Sequence, residues 1–377
     1  MSNMLSDYWS LTSRLVQRIL AGHALTRRRW IKRYRCGYDT RYYRIVPVGK
    51  VRGAIVPLAN TKTTRIGITA ACVLLLCAAV CRPQVPRIDH VFIVVEENQD
   101  FSCVIGNSTM GFLNGLAAKY ALATSYYANS HPSISNYFVL TTGQALYKGR
   151  FGDLRTEHVD VDNVIRELKQ NGKTWRAYVE GVPGPGYMGG NIDSTAYVKR
   201  HNPLSYFQRD IADNERGNLA PFAQFSDDLA QNRLANYSFF VPNLFDDGHS
   251  VKGTNGRNQG MARCGDVNAL KQSDDWLKNI FSPLLASKVF EDTGLLVVTY
   301  DEASGDDESD GAGHWGGGRV ATILVSSKVK PAYRSITLYH HESTLRLTME
   351  ALGLDENHWP GGAKNAPSMA EFFQGSR

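Results

Sequence analysis

The feature that most constrains this chain is a series of short apolar runs that end abruptly at acidic, amide or imidazole side chains. The runs are rich in β-branched residues and apolar on both sides, which suits strands covered by helices on both faces. Segments with helical periodicity alternate with them, so the pattern predicts an α/β fold. The predicted strands are His90–Glu96, Thr174–Val179, Tyr237–Val241, Leu295–Tyr300 and Val320–Ser326. The predicted helices are Thr109–Tyr120, Asn163–Gln170, Asp274–Leu285 and Ser343–Leu352.

Composition indicates a folded body joined to a basic leader. Apolar residues make up 43% of the 377, which excludes wholesale disorder. Residues 1–81 carry 14 Lys or Arg and 2 acids, whereas the remainder carries a net charge of −6. A catalytically inactive protein that binds membranes or nucleic acid is the alternative from another class. The confinement of the positive charge to the leader argues against it, and we expect no nucleic-acid partner.

The leader contains an uncharged run of sixteen residues, 66–81, preceded by Lys62 and Arg65. A basic segment followed by a short apolar one is typical of a secretory signal. A bilayer span needs roughly 20 apolar residues, so residues 62–81 predict a signal peptide, with a membrane anchor as the alternative. The expected location is secreted or periplasmic, or anchored to the inner membrane through residues 66–81. Residues 1–61 read as a basic, disordered extension, either a cytoplasmic tail or the product of a start assigned too far upstream.

Two cysteines, Cys103 and Cys264, lie in the body. In an exported protein they could form one disulfide, and two separate thiols fit the sequence equally well.

Polar side chains follow three of the predicted strands directly. Glu96, Glu97 and Asn98 end the first, and Asp301 and Glu302 end the Leu295–Tyr300 strand. Asp247 and His249 follow Tyr237–Val241 after a short turn. The carboxyl ends of parallel strands meet at one edge of a sheet, where carboxylate, amide and imidazole groups can bind a divalent metal.

Two further motifs are expected near that edge. Ser133 follows His131 and Pro132 at the start of an apolar helical stretch, where helix amide groups suit a nucleophile that attacks phosphorus. His340 and His341 open the late predicted helix. Acids at the strand ends together with a serine at a helix start predict a metal-assisted site for phosphoryl transfer.

Six motifs in the same order give the chain its resemblance to a known family. It resembles the bacterial phosphoesterase family of secreted acid phosphatases and non-haemolytic phospholipases C, which is similar to the alkaline phosphatase superfamily, and its size is most similar to that of the compact mycobacterial members. The resemblance implies a three-layer α/β/α sandwich with a mainly parallel central sheet over residues 88–375. The motifs are Glu97-Asn98 with Phe101, His131-Pro132-Ser133 with Asn136-Tyr137, Pro242-Asn243 with Asp247 and His249, Ser273-Asp274 with Trp276-Leu277, Thr299 with Asp301-Glu302, and His341 with Ser343.

The resemblance also implies roles for these residues. Ser133 would be the nucleophile and a ligand of a divalent cation whose identity is unknown. His249 and His341 would act at the phosphate and leaving group, with one or two metals in the site. The other implied metal ligands are Glu97, Asn98, Asp301, Glu302 and Asp247, and the implied substrate contacts are His131, Asn136, Lys199 and His201.

The expected activity is hydrolysis of phosphate monoesters, of the acid phosphatase type, through a phosphoserine intermediate. A phospholipase C that cleaves phospholipid diesters is the alternative enzyme. A phosphoinositide or another phospholipid is a candidate substrate, the signal or anchor would make transient membrane contact, and no protein partner is inferred.

Overall fold

The computed structural model of the chain describes residues 84–146, 158–250, 264, 267–304 and 316–375. The predicted basic extension, the signal-like run and the acidic segment 305–315 lie outside these residues. None of the helices within the described ranges is both long and apolar enough to cross a membrane.

Within its described residues, the first half of the body contains three strands and four α-helices. They are β1 (His90–Glu96), α1 (Phe101–Val104), α2 (Gly111–Lys119), β2 (Ala121–Ala123), α3 (Ser133–Thr142), α4 (Val164–Gln170) and β3 (Trp175–Val179). A region of short 3-10 turns follows, at Asp193–Thr195, Lys199–His201, Pro203–Tyr206 and Asp213–Asn218.

The second half continues the alternation. It contains β4 (Leu219–Pro221), α5 (Gln224–Ala230), β5 (Tyr237–Val241), α6 (Val267–Leu285), α7 (Lys288–Thr293), β6 (Gly294–Tyr300), β7 (Thr322–Val325), β8 (Arg334–Ser335) and α8 (His341–Leu352). Three 3-10 turns close the described chain, at Glu356–His358, Ala363–Asn365 and Ala370–Phe372.

The strands form one eight-stranded sheet in the order β4-β3-β5-β1-β6-β7-β2-β8. Every neighbouring pair is parallel except the two that involve β7, which is antiparallel to both β6 and β2. The prediction of a mainly parallel sheet is therefore confirmed. The reversed strand β7 was not anticipated, because a short apolar run has the same sequence pattern in either direction.

Helices cover both faces of the sheet, as the two phenylalanines at the middle of β5 illustrate. The ring of Phe239 contacts Tyr137 of α3, with ring centroids 6.4 Å apart. The ring of Phe240 contacts Phe281 of α6 at 5.0 Å. Successive side chains of a strand point to opposite faces, so α3 and α6 lie on opposite sides of the sheet. The predicted three-layer α/β/α architecture is confirmed.

All ten residues of α3 are buried, so this helix is enclosed on every side. It ends at Gly143, whose φ of 66° places the backbone in the left-handed region. A side chain there would also meet the backbone of Pro360 and Gly362, since a Cβ would lie 2.6 Å from atoms of both. Glycine is therefore required at this helix end, and the C-terminal turns can pack directly against it.

The two body cysteines form a disulfide between Cys103 in α1 and Cys264, with the two Cα atoms 5.0 Å apart. The sequence left this pairing open, because it depends on how α1 lies relative to a segment 161 residues away.

Candidate active site

Three buried carboxylates meet just beyond the adjacent strands β1 and β6. Glu97, Asp301 and Glu302 each offer an oxygen atom, and these atoms all lie within 4.8 Å of one another. The parallel ladder continues one step past the strands, since the Asp301 N–H donates to the Glu96 carbonyl at 3.0 Å. This contact places the two strand exits side by side, as predicted for the carboxyl edge of a parallel sheet.

Ser133 stands at the first residue of α3 and faces this cluster. Its hydroxyl lies 2.9 Å from Glu97 Oε1 and 3.2 Å from Glu302 Oε1. The side chain is buried with only 5% exposed. The structure thus brings the predicted nucleophile to the predicted metal ligands, although Ser133 and Glu302 are 169 residues apart.

Asn98 adopts a left-handed backbone with a φ of 53°. This conformation is more accessible to asparagine than to most other residues. Its N–H donates to Asp301 Oδ1 at 2.9 Å, which ties the exit of β1 to the exit of β6. Its side-chain oxygen is buried without a hydrogen-bond partner among the described residues.

A second group of polar side chains lies against the other side of Glu97. His201 Nε2 is 3.1 Å from Glu97 Oε2, and His249 Nδ1 is 3.6 Å from Glu97 Oε1. Asp247 Oδ2 lies 3.8 Å from His201 Nδ1. The His201 ring stacks on Tyr137 of α3 at a centroid distance of 5.1 Å. His201 was expected to contact substrate, and the structure places it directly against Glu97.

The turn that carries Asp247 and His249 is held from two sides. The Glu97 N–H donates to the Asp247 carbonyl at 2.7 Å. The side-chain amide of Gln99 donates to the carbonyl of Gly248 at 2.8 Å. Gly248 itself has a φ of 86°, which a residue with a side chain rarely adopts. Sequence reasoning missed Gln99, although its position two residues after Glu97 was a usable signal.

Burial and the repulsion between neighbouring carboxylates shift the pKa values of the acids in the site. Burial raises the pKa of Asp301 well above its usual value, and the charges of Glu97 and Glu302 add to the effect. Burial, with the charge of Glu97, raises the pKa of Asp247 to about 7. Burial alone would also raise the pKa of Glu97, but His201 and His249 outweigh it and the net pKa falls well below its usual value. The cluster therefore concentrates negative charge that a cation would stabilise.

The pKa values of His201 and His249 shift in opposite directions. Burial lowers the pKa of His201 despite the neighbouring Glu97. Burial also acts to lower the pKa of His249, but Glu97 reverses the effect and the net pKa is raised. His249 is also the more exposed of the two, with 19% of its side chain accessible against 1% for His201. His249 can therefore carry a proton at the surface of the cluster.

Several buried polar atoms of the cluster lack a hydrogen-bond partner among the described residues, as expected for a group that binds a cation. Buried polar atoms are normally hydrogen-bonded, so a group of unpaired ones requires an explanation. Carboxylate and amide oxygens are the ligands that hard divalent cations, Mn²⁺ among them, prefer, and imidazole suits transition metals such as Zn²⁺. The residues fit such a cation. The buried site atoms without a hydrogen-bond partner among the described residues include Asn98 Oδ1, Asp247 Oδ2, Asp301 Oδ2 and His201 Nδ1.

Two of the predicted substrate contacts lie beside Ser133. His131 is 39% exposed and its Nδ1 lies 3.0 Å from Glu302 Oε2. Asn136 accepts hydrogen bonds from the backbone N–H groups of Asn129 and Ser130 at 3.0 and 3.1 Å. Asn136 therefore shapes the loop before Ser133, while His131 stands at its accessible side.

The side chains of Lys199 and His341, two other predicted site residues, are hydrogen-bonded to backbone carbonyl groups of the protein. Lys199 Nζ donates to the Met188 carbonyl at 2.8 Å and lies 4.6 Å from the centre of the Tyr206 ring. Burial lowers its pKa. His341 contacts the backbone of Asp301 and not its carboxylate.

Comparison with known proteins supplies the family context. The model of the phosphoesterase family matches residues 106–355, a range that includes Ser133, Asp247, Asp301 and Glu302. A phosphatidylinositol-3-phosphatase of Mycobacterium tuberculosis is 28% identical over 295 residues, covering 76% of this chain and 84% of that protein. A probable acid phosphatase of Kluyveromyces lactis is 28% identical over 219 residues. That match covers 56% of this chain and 47% of the yeast protein, so the chain spans about half the length of this relative.

Solved structures show a likeness of fold. A structure from a study of glycosaminoglycan metabolism by Bacteroides thetaiotaomicron has a TM-score of 0.50 at 12% identity and covers 76% of this chain and 77% of that one. A protein in the alkaline phosphatase superfamily from Vibrio parahaemolyticus has a TM-score of 0.47 at 12% identity, with coverage of 78% and 71%.

Proposed function

Because the chain belongs to the phosphoesterase family, we propose that it hydrolyses phosphate esters through a phosphoserine intermediate on Ser133. The observation that carries the proposal is the position of the Ser133 hydroxyl, within 3.2 Å of two carboxylates of the buried acidic cluster. A serine in that position has acceptors for its proton and a helix N-terminus behind it.

A divalent cation is part of the proposal, and its ligands would be Glu97, Asn98, Asp301, Glu302 and Ser133. When bound, it would lower the pKa of the serine hydroxyl and offset the negative charge of the phosphate. Asp247 would face the substrate side with His201 and His249. The raised pKa of Asp301 and the unpaired carboxylate oxygens support a site built for added positive charge.

The chain's own groups then account for the two steps. Ser133 Oγ forms a bond to phosphorus while the bond from phosphorus to the ester oxygen breaks, and the hydroxyl proton passes to a carboxylate of the cluster. His249, whose pKa is raised, donates a proton to the leaving alkoxide. Water then forms a bond to phosphorus while the bond from phosphorus to Ser133 Oγ breaks. His249 takes a proton from the water and the carboxylate returns its proton to Oγ, so inorganic phosphate is released and the serine is restored. His131, which contacts Glu302 and is partly exposed, is placed to contact the phosphate.

The test of the nucleophile is a pair of alanine substitutions in one helix turn. Ser133→Ala should reduce the turnover of p-nitrophenyl phosphate at least about 1,000-fold, because it removes the hydroxyl that forms the bond to phosphorus. Ser135→Ala is the matched control, since Ser135 is also fully buried at the start of α3. It should retain activity within about threefold, being outside the proposed chemistry. Wild-type turnover in the Ser133 variant would contradict the assignment.

Metal dependence has its own experiment. Exhaustive chelation should abolish the activity, and Mn²⁺ or another divalent cation should restore it. Activity that survives chelation would exclude the proposed role of the acidic cluster as a metal site without excluding Ser133.

The substrate class is proposed from the names of the relatives, which are acid phosphatases and a phosphatidylinositol-3-phosphatase. We expect a phosphate monoester, with a phosphoinositide as one candidate. Release of free phosphate from a panel of monoesters tests this. Release of diacylglycerol from phosphatidylcholine would instead identify a phospholipase C.

Export is proposed from the signal-like run at 66–81, and the disulfide supports it because disulfides persist in oxidising compartments. Recovery of the protein in the secreted or periplasmic fraction is the expected result. Recovery in the cytoplasm with both thiols reduced would contradict it.

A further inference from the structure

His341 lies beneath the acidic cluster, and both of its ring nitrogens are already occupied. Nε2 lies 2.7 Å from the carbonyl oxygen of Asp301, and Nδ1 lies 3.1 Å from the hydroxyl of Tyr126. The side chain has no exposed surface, and the Tyr126 ring packs edge-on against it at 5.5 Å. In this arrangement the imidazole has no nitrogen left for a phosphate, a leaving group or a metal.

The Asp301 carbonyl determines which group donates in each hydrogen bond of the series formed by His341, Tyr126 and Thr344. A carbonyl oxygen only accepts, so His341 Nε2 carries the proton and donates it to Asp301. In the neutral ring Nδ1 is then an acceptor, which makes Tyr126 the donor at that contact. The hydroxyl of Thr344, 2.7 Å from the Tyr126 oxygen, is the donor that remains for it.

The end point of this series is the peptide that carries two of the three carboxylates. The Asp301 N–H is bonded to the Glu96 carbonyl, and its carbonyl is bonded to His341. Its Oδ1 accepts from the N–H groups of Asn98 and Glu302 at 2.9 and 2.7 Å. Oδ2 is the Asp301 polar atom that has no partner in the described chain. His341 therefore fixes the Asp301 carbonyl and, with it, the orientation of the Asp301–Glu302 peptide. This orientation directs the Glu302 side chain toward Ser133.

We infer that His341 is a positioning residue. Together with Tyr126, it holds the Asp301–Glu302 peptide so that both carboxylates converge with Glu97 on one cation. The inference rests on the proposed function, and it replaces the role at the phosphate that the family resemblance implies for His341. It assigns a function to Tyr126, which the sequence motifs did not single out.

The experiment measures Mn²⁺ binding by calorimetry in three variants and one control. His341→Met removes the donor to Asp301 and should weaken Mn²⁺ binding about 10- to 100-fold, as loss of a supporting contact behind a metal ligand does. His341→Gln keeps an amide donor at the position of Nε2 and should recover most of the affinity. Tyr126→Phe should weaken binding about three- to tenfold, because it releases the ring without removing the donor.

Tyr339→Phe is the matched control. It also removes a buried tyrosine hydroxyl, but that hydroxyl is bonded to Glu371 away from the cluster. Its Mn²⁺ affinity should equal that of the wild type. Tyr339→Phe should also leave the turnover of p-nitrophenyl phosphate unchanged. In the Tyr126→Phe protein, the turnover that is lost at limiting Mn²⁺ should return as the Mn²⁺ concentration is raised, and the His341→Gln protein should keep both limbs of the pH profile.

Unchanged Mn²⁺ affinity in both the His341→Met and Tyr126→Phe proteins would overturn the inference. So would a His341→Gln protein that binds Mn²⁺ normally but loses turnover and one limb of the pH profile, since a group that transfers protons gives that result. If the Met variant does not fold, the Gln and Phe variants decide the question. A wild-type protein that binds Mn²⁺ but hydrolyses no ester would contradict the proposed function alone. A wild-type protein that binds no Mn²⁺ but still hydrolyses the ester would overturn the inference and the proposed metal site, and it would leave the role of Ser133 intact.

Discussion

Two adjacent glutamates at the end of β1 occupy opposite environments. Glu97 contacts Ser133, His201 and His249 on the side of α3. Glu96 points to the other face, where its Oε2 accepts from the Ser273 hydroxyl of α6 at 2.5 Å. The alternation of side chains along a strand accounts for the difference. In the sequence the two acids are indistinguishable candidates.

Substitution of Glu97 and of Glu96 should therefore have very different effects on Mn²⁺ binding. Glu97→Gln should weaken Mn²⁺ binding more than about 100-fold, because it removes a charged ligand from the cluster. Burial raises the pKa of Glu96 well above its usual value, which favours its neutral form, and glutamine has the same size without a charge. Glu96→Gln should change affinity and turnover less than about threefold. Metal titration followed by a phosphate-release assay measures both, and equal losses in the two variants would contradict the assignment.

At the scale of elements, a side chain from one helix caps the start of another. The Asp274 carboxylate in α6 accepts from the N–H groups of Phe112 and Leu113 at 2.8 Å each. These are unpaired donors of the first turn of α2, so the contact satisfies the helix start and joins α2 to α6. The Ser273-Asp274 motif thus stabilises the layer behind the sheet and also supplies the serine that contacts Glu96.

Removing the Asp274 carboxylate should lower the stability of the protein. Asp274→Ala should lower the free energy of unfolding by about 1–3 kcal/mol, because one buried and one partly buried amide donor lose their acceptor. Asp275→Ala is the matched control, since its carboxylate is 57% exposed and pairs with Lys271 at the surface. It should cost less than about 0.5 kcal/mol. Urea unfolding measures both values, and similar losses would show that the cap contributes nothing specific.

Helix α4 contains a buried acid that predicts a pH dependence of stability. Glu167 is 2% exposed and its Oε2 has no hydrogen-bond partner in the described chain. Burial raises its pKa from 4.5 to about 7. Between these values the folded protein binds more protons at Glu167 than the unfolded chain does, so this group reduces stability as the pH rises from about 4.5 to 7.

Glu167→Gln should remove this effect. Allowing for screening by nearby solvent, we expect the variant to be about 1–2 kcal/mol more stable than the wild type at pH 8. At pH 4 the two proteins should be equally stable, because Glu167 is then protonated in both the folded and the unfolded state. Chemical unfolding at the two pH values measures the difference, and a gain that is the same at both would point to a cause other than ionisation.

At the scale of the whole molecule, the site depends on the strand order β5-β1-β6. These neighbouring parallel strands deliver Asp247, Glu97 and Asp301 to one edge, and α3 brings Ser133 to the same place. The disulfide between Cys103 and Cys264 adds a covalent link between segments 161 residues apart, so it restricts the unfolded chain over a long loop.

The double variant with Cys103→Ser and Cys264→Ser should therefore be about 2–5 kcal/mol less stable than the oxidised wild type. The contacts described above for the site residues involve neither cysteine, so turnover of the folded variant should be preserved. Urea unfolding with and without a reducing agent provides the control. Reductant should lower the stability of the wild type toward that of the variant and leave the variant unchanged, and a wild type insensitive to reduction would contradict the prediction.

The ends of individual strands and helices show which parts of the fold can be predicted from the sequence. The strand ends at Glu96 and Tyr300 and the helix end at Leu352 were predicted as observed, because each lies where an apolar pattern stops. Helix α6 begins at Val267, seven residues before the predicted start, since the polar residues of its first turns give a weak periodic signal. The short strands β2, β4 and β8 were missed because two or three residues carry no pattern of their own.

The sequence by itself determined which side chains lie at the carboxyl edge of the sheet, because the end of an apolar run and the polar residues after it are local properties. It also determined that Ser133 begins a helix. Only the tertiary structure decided that His201 lies against Glu97, that Glu96 turns away to Ser273, and that His341 supports Asp301 from below. These contacts join residues distant in sequence, and strand order and helix packing, which no local pattern encodes, bring them together.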